Sequence, residues 1–274
     1  MNVLFGSLIV VAAVAISITA ILLVRRRAPD GGYFNDGDRA AGVFGVLATG
    51  FSVLLGFLIF LAFTSYDNSR TGAETEALTV AQQVRTAQSF ATDVRSELTG
   101  ELICYARSVA FVEWPQMEAG TQGEQINPWA IELFETLQTV EPSSNSEQSA
   151  YDHWLDQTAD REVARNARIH GAAGIIPAPL WVALFFTAAV IFVFMLFFAD
   201  SGERAIVQGL LMGSIVAVLT IMLLLLQFMD SPIQTGIGGL KPDAMKRTML
   251  ILDQVIRVTG TVELPCDVDG VALG

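Results

Sequence analysis

Four stretches of about twenty residues each run without a single ionisable side chain: Val3–Val24, Val43–Phe63, Ala178–Phe198 and Ile206–Leu226. At about 1.5 Å of rise per residue, each reaches roughly 30 Å as a helix, the thickness of a bilayer's hydrocarbon core. A buried helix of a water-soluble domain seldom stays uncharged for that length. Four such runs in one chain, with 52% hydrophobic residues overall, predict an all-α polytopic membrane protein.

The first run is not followed by the small-residue cleavage site of a signal peptide; no Lys or Arg precedes it, and Arg25, Arg26 and Arg27 follow it. The positive-inside rule keeps these arginines in the cytoplasm and makes the first run a permanent anchor. Threading on, both termini and the long segment between spans two and three are expected outside the cytoplasm of a multi-pass cell-membrane protein. Arg161, Arg165, Arg168, Lys241, Lys246 and Arg247 then flank membrane ends on the outer side, although long segments weigh little in the rule.

The sequence predicts spans one and two in 1–65, a helical extramembrane domain in 66–175 inserted between spans two and three, spans three and four in 176–228, and an extramembrane tail in 229–274. Past span two, apolar or small residues recur in steps of three and four at Val80, Val84, Ala87, Ala91, Val94, Leu98, Leu102, Tyr105, Val109 and Val112. This stripe predicts one long helix continuous with span two, bent at Gly72 and Gly100 and ended by Glu113-Trp114-Pro115, because a residue before proline is pushed out of helical geometry. A loop rich in Gly, Gln and Asn follows, then a short helix from Pro128 to Val140 and another from Ser146 through the arginines towards span three. In the tail, Pro242 opens an amphipathic helix carrying Met245, Met249, Leu252 and Ile256, and little order is expected beyond Gly260.

Of the net charge of -12, most lies between Thr64 and Ile176, where seventeen acidic residues face seven basic ones. Nucleic acid is therefore not an expected partner. The two histidines, at 153 and 170, would sit about 25 Å apart along a helix, too far to share a metal. No phosphate loop, zinc-protease motif or nucleophile elbow is present. Neither an enzyme nor a metal or cofactor site is expected.

The spans lack midplane carboxylates and mid-helix prolines, the usual marks of coupled transporters. They are marked instead by small residues. Gly209, Gly213 and Ala217 form a ridge on span four, and Gly45, Thr49, Ser52 and Gly56 another on span two; such ridges let helices pack closely, within one subunit or between subunits. Span two also carries Phe44, Phe51, Phe57, Phe60 and Phe63, and rings of apolar side chains can gate a pore by dewetting.

The only two cysteines, Cys104 and Cys266, both fall outside the cytoplasm under this topology, where thiols are commonly oxidised. Cys104 falls beside Glu97 and Glu101, off the apolar stripe, and is available for pairing. A disulfide between them is expected, and closing a loop of ~160 residues would contribute at most about 4 to 5 kcal/mol in the chain-entropy model.

Phe51-Ser52-Val53-Leu54-Leu55-Gly56-Phe57 resembles the second membrane helix of bestrophins, where the corresponding run forms the hydrophobic neck of a pentameric, calcium-gated channel. The whole chain resembles the bestrophin-like domain family of unknown function in Tyr105 with Glu113-Trp114-Pro115, in the Arg161–Arg168 stripe before Pro177 and Trp181, and in Asp230-Ser231-Pro232 followed by Lys241-Pro242. Aligned at Gly56, the resemblance implies neck positions at Thr49, Val53 and Phe57, on one helix face. Thr49 replaces an apolar residue there and Val53 a larger aromatic one, which implies a wider or wetter constriction. The acidic run that clasps calcium after the last bestrophin span is missing, since Asp230 is followed by Ser, Pro, Ile and Gln. Bestrophins also keep their helical part in the cytosol, against the orientation that Arg25–Arg27 favour. The expected function is an ion channel, a homo-oligomer in the lipid bilayer with ions as its permeant partners. The alternative is a non-conducting scaffold or sensor whose helical domain binds a protein.

Overall fold

The computed structural model describes residues 3–121, 127–234, 236, 238–259, 262 and 264–273. Its helices are α1 (Val3–Arg25), α2 (Gly37–Ala87), α3 (Thr92–Ser108), a π-helical turn (Val109–Glu113), α4 (Trp114–Glu118), α5 (Pro128–Gln138), α6 (Asn145–Ala172), α7 (Ala178–Leu196), α8 (Ala205–Asp230) and α9 (Asp243–Thr259). The β pairing among the described residues is one isolated bridge between Cys266 and Ala272. Four helices, α1, α2, α7 and α8, are long and apolar enough to cross a membrane. The chain divides into two compact units, one of Met1–Ser65, Gly174–Ser231 and Thr235–Gly238, the other of Tyr66–Ala173, Pro232–Gln234 and Gly239–Gly274.

The membrane-length helices of the first unit are apolar inside and out, as helices solvated by lipid must be. Its core joins Ile21, Phe51, Leu55, Leu58, Leu184, Ile191, Met195 and Met212. With no hydrophobic force between lipid-solvated helices, close backbone approach holds them. A Cβ on Gly213 would lie 3.2 Å from Ile18 and 3.4 Å from Val14, so the small face of α8 seats α1. At one end, Arg25 donates to the backbone carbonyls of Ser201 (2.8 Å) and Glu203, and Asp200 accepts from Gly31 N (3.0 Å) and Gly202 N (2.8 Å). This ties the 26–36 connection to the 200–204 turn. Elsewhere in the unit, Asp230 accepts from the backbone of Ile175 and Ile176 at 2.8 and 3.0 Å and from Trp181 Nε1 at 3.4 Å. The Asp-Ser-Pro motif therefore caps the entry to α7.

The second unit contains the latter part of α2 with α3 to α6, α9 and the chain's end. The apolar stripe proves to belong to two helices rather than one. A tight turn at Gln88–Ala91 breaks it, and Phe90 is buried edge-on against Trp154 at 6.1 Å. Tyr105 then meets Glu76, each some fifteen residues from the turn, so α3 runs back along α2. Neither of the two glycines expected to bend the helix interrupts one. Gly72 lies within unbroken α2, where a Cβ would meet Ala164 O and Arg168 N at 2.7 Å; its bare backbone admits α6. Gly100 lies within unbroken α3.

Nor does Trp114-Pro115 end the helix. Trp114 N–H bonds Val109 O, five residues back, and Pro115 opens α4. The wide π turn displaces the carbonyls that a proline ring would strike in an α-helix. Ser144 caps α6 by accepting from Glu147 N at 3.1 Å, and Asn127 caps α5 from just before Pro128. The polar loop expected before α5 falls largely outside the described residues. Helix α9 buries Met245 and Leu252 in the same core, so the tail belongs to the helical unit.

Candidate functional site

Along the first 28 residues of α2, buried positions Phe51, Leu55, Leu58 and Ala62 mark the inward face. On the other side, Thr49, Val53 and Phe57 line up at one turn apart and are all exposed, Val53 at 68% and Phe57 at 58%. Gly45, Ser52 and Gly56 flank them, also exposed, and a Cβ on either glycine would meet nothing within 4 Å. Ser52 donates to Ala48 O at 2.8 Å, so its hydroxyl is satisfied within the helix. The small-residue ridges thus differ. On α8, Gly209 and Gly213 are buried against α1 and Ala217 is half-buried, whereas the α2 ridge packs on nothing within its unit. Of the phenylalanines expected on that helix, Phe51 is buried and Phe44 stacks on Phe194 at 5.7 Å; Phe57, Phe60 and Phe63 point outward.

A second constellation, in the helical unit, is a buried charge network. Arg168 donates through Nε to Glu76 Oε2 at 2.6 Å and through Nη2 to Glu76 Oε1 at 3.0 Å and Glu113 Oε2 at 2.7 Å. Arg165 and Asn127 donate to Glu113 Oε1 at 3.2 and 2.9 Å, and Tyr105 to Glu76 Oε1 at 2.6 Å. Arg161 donates to Gln83 at 2.8 Å and lies over the Tyr105 ring at 4.8 Å. The Arg168 and Glu76 side chains are wholly buried. Burial opposes ionisation of Glu113, but Arg168 and Arg165 outweigh it and hold its carboxyl below the usual range. Burial, then Glu76, pushes the Tyr105 phenol well up, so it stays a donor. The π turn aims Glu113 into the network. The family pattern marks Tyr105, Glu113 and the arginines; Glu76 and Gln83 went unmarked, although Glu76 stands four residues ahead of Val80, in register with the core stripe.

Beside the network, Glu101 is also buried. It accepts from Thr136 Oγ1 at 2.7 Å, while its other oxygen has no partner. Burial, with Glu97 and Glu132 nearby, raises its pKa to about 7 against the hydrogen bond from Thr136. Cys104, one turn on, is fully buried and not off the core, because α5 and the chain's end cover that side of α3. It is joined to Cys266, with Cα atoms 5.7 Å apart. The same terminal segment is held by Arg107 donating to Asp267 O at 2.8 Å and Trp129 Nε1 to Gly270 O at 2.7 Å. Native protein should therefore take up no alkylating reagent without denaturant, and denatured protein should take up two equivalents only after reduction. Two thiols modified in denatured, unreduced protein would show that the bond is absent. Among the described residues, no set of three or more His, Cys, Asp or Glu side chains is placed to hold a metal.

The family model of the bestrophin-like domain matches residues 8–237, and the chain belongs to that family. Among solved structures, it is similar to a point variant of a bacterial bestrophin homologue from Klebsiella pneumoniae. That match has a TM-score of 0.64 at 14% identity and covers 95% of this chain and 100% of that one. Another variant of this Klebsiella homologue gives 0.66 at 11% identity, covering 92% and 99%. A crystal structure described as a membrane protein gives 0.65 at 13% identity, covering 92% and 99%. At these identities the likeness is one of fold. No curated protein matches the sequence significantly.

Proposed function

We propose that this chain assembles as a homo-oligomer in the cell membrane around an ion pore lined by α2, with Thr49, Val53 and Phe57 as a hydrophobic neck. The observation that carries this reading is the unpacked face of α2. Lipid contact alone has no use for Gly45, Ser52 and Gly56 in a row, whereas a helix that must approach copies of itself does. Between those small residues, Val53 and Phe57 would each repeat as an apolar ring, and such rings oppose ion passage by dewetting until they widen. Membership of the bestrophin-like family and the fold shared with a bestrophin homologue point the same way. The test is the mass of the purified protein in detergent, against 29.5 kDa for one chain, followed by ion flux in liposomes. A monomer without flux would leave the scaffold reading, for which exposed Ile131 and Phe134 on α5 offer a partner face.

The orientation proposed is with Arg25–Arg27 in the cytoplasm and the helical unit outside, inserted between spans two and three. A reporter fused after Gly274 should then be active only outside the cytoplasm, and neutralising the three arginines should weaken that preference. Cytoplasmic activity would reverse the assignment.

A further inference from the structure

The helical unit is acidic, and five of its cations are engaged within it. Arg161, Arg165 and Arg168 serve the buried network, Arg107 holds the terminal segment, and Lys246 lies over the Phe111 ring at 5.6 Å. Three others gather around one cavity of about 270 Å³: Arg70 from α2, Lys241 from the segment before α9, and Arg247 from α9. Glu74 and Asp243 share the lining, which leaves an excess of one positive charge.

These cations are available. Among the described residues, Lys241 and Arg247 form no ion pair, and Arg70 pairs with Glu74 on its own helix at 3.1 Å, both side chains 59% exposed. An exposed pair of this kind contributes only about 0.3–0.5 kcal/mol, so an incoming anion of higher charge displaces Glu74. Two guanidinium groups and an ammonium suit a tetrahedral oxyanion, because guanidinium forks match phosphate oxygens two at a time. The volume is several times the ~30 Å³ share of one water, enough for a phosphate with part of the group it esterifies.

We infer that this cavity binds a phosphate-class anion between Arg70, Lys241 and Arg247. Arg70 follows Phe63, the last residue of the uncharged run, by seven residues on one continuous helix, about 10 Å of rise. The headgroup layer begins within that interval along α2, which makes a phospholipid phosphate the favoured source over a free one. The inference does not depend on conduction.

The test is calorimetric titration of the full-length protein in neutral detergent with inorganic phosphate, with a short-chain phosphatidic acid, and with the phosphatidylcholine of the same chain length. Phosphatidic acid should bind in a salt-sensitive way, and the double variant Lys241→Gln/Arg247→Gln should bind at least about tenfold more weakly, as expected for losing one charge-assisted hydrogen bond or more. Arg85→Gln, on the exposed surface of α2 outside the cavity, should bind as the parent does. An unchanged thermal unfolding midpoint in the double variant shows that folding is intact, and Lys241→Arg should retain binding. Binding of both anions supports the phosphate site, and binding of phosphatidic acid alone supports the headgroup as its source. Binding of inorganic phosphate alone overturns the lipid source. No binding, or equal binding by the double variant and phosphatidylcholine, overturns the site.

Discussion

Replacing Arg168 with Met should lower the unfolding free energy of the helical unit by about 3–5 kcal/mol, the range measured when one partner of a buried ion pair is removed. The size follows from what remains. Glu76, wholly buried, would keep only the Tyr105 hydroxyl, while Glu113 would retain Arg165 and Asn127. The main penalty is therefore an uncompensated carboxylate at Glu76. Adding Glu76→Gln to Arg168→Met should recover a large part of the loss, because a neutral amide removes the stranded charge; coupling between contacting residues commonly reaches about 0.5–3 kcal/mol. Denaturant unfolding followed by circular dichroism would read both. A single-variant loss under about 1 kcal/mol would mean that water relaxes the site and that the network does not hold α2, α3 and α6 together.

Glu101 acts in the opposite sense with pH. Its folded pKa of about 7 lies above its ordinary value of 4.5, so the folded state holds the proton more tightly than the unfolded one. The stability from this group is fully present below pH 4.5 and is lost as pH rises through 7. Reduced for partial screening by solvent, the loss should reach about 2 kcal/mol at pH 8, against about 1.36 kcal/mol per pKa unit unscreened. Glu101→Gln should thus stabilise the protein by about 1–2 kcal/mol at pH 8 and by less than about 1 kcal/mol at pH 5. Glu113, with its lowered pKa, makes the contrary contribution: present above its ordinary range and lost on acidification. An unchanged pH profile in Glu101→Gln would show that the carboxyl is ionised and solvated at neutral pH.

Much of the fold was legible because membrane spans announce themselves. Twenty uncharged residues admit few other structures, and α1, α2, α7 and α8 fall on those runs. Pro128 and Pro242 likewise marked the starts of α5 and α9. The reversal at Gln88–Ala91 was hidden for a physical reason: it contains neither Gly nor Pro, and α2 and α3 pack with their apolar stripes facing one core, so the period of three and four continues across the turn. Trp114-Pro115 misled because a π turn relieves the clash that normally stops a helix. Glu76 was missed because a lone carboxylate in an acidic segment looks like solvated surface; only its partner Arg168, ninety-two residues away, reveals its role. Small-residue spacing marked both ridges, but spacing alone could not say that Gly213 would meet α1 and that Gly56 would meet open space.

Whether the outward face of α2 borders an ion path is decided by Val53→Cys. Purified and reconstituted, this variant should carry ions, and a charged thiol-reactive reagent should cut its flux several-fold by adding bulk and charge at the neck. The parent protein, whose Cys104 is buried and bonded to Cys266, should be unaffected. Undiminished flux through the labelled variant, or no flux from well-folded parent protein, would contradict the claim.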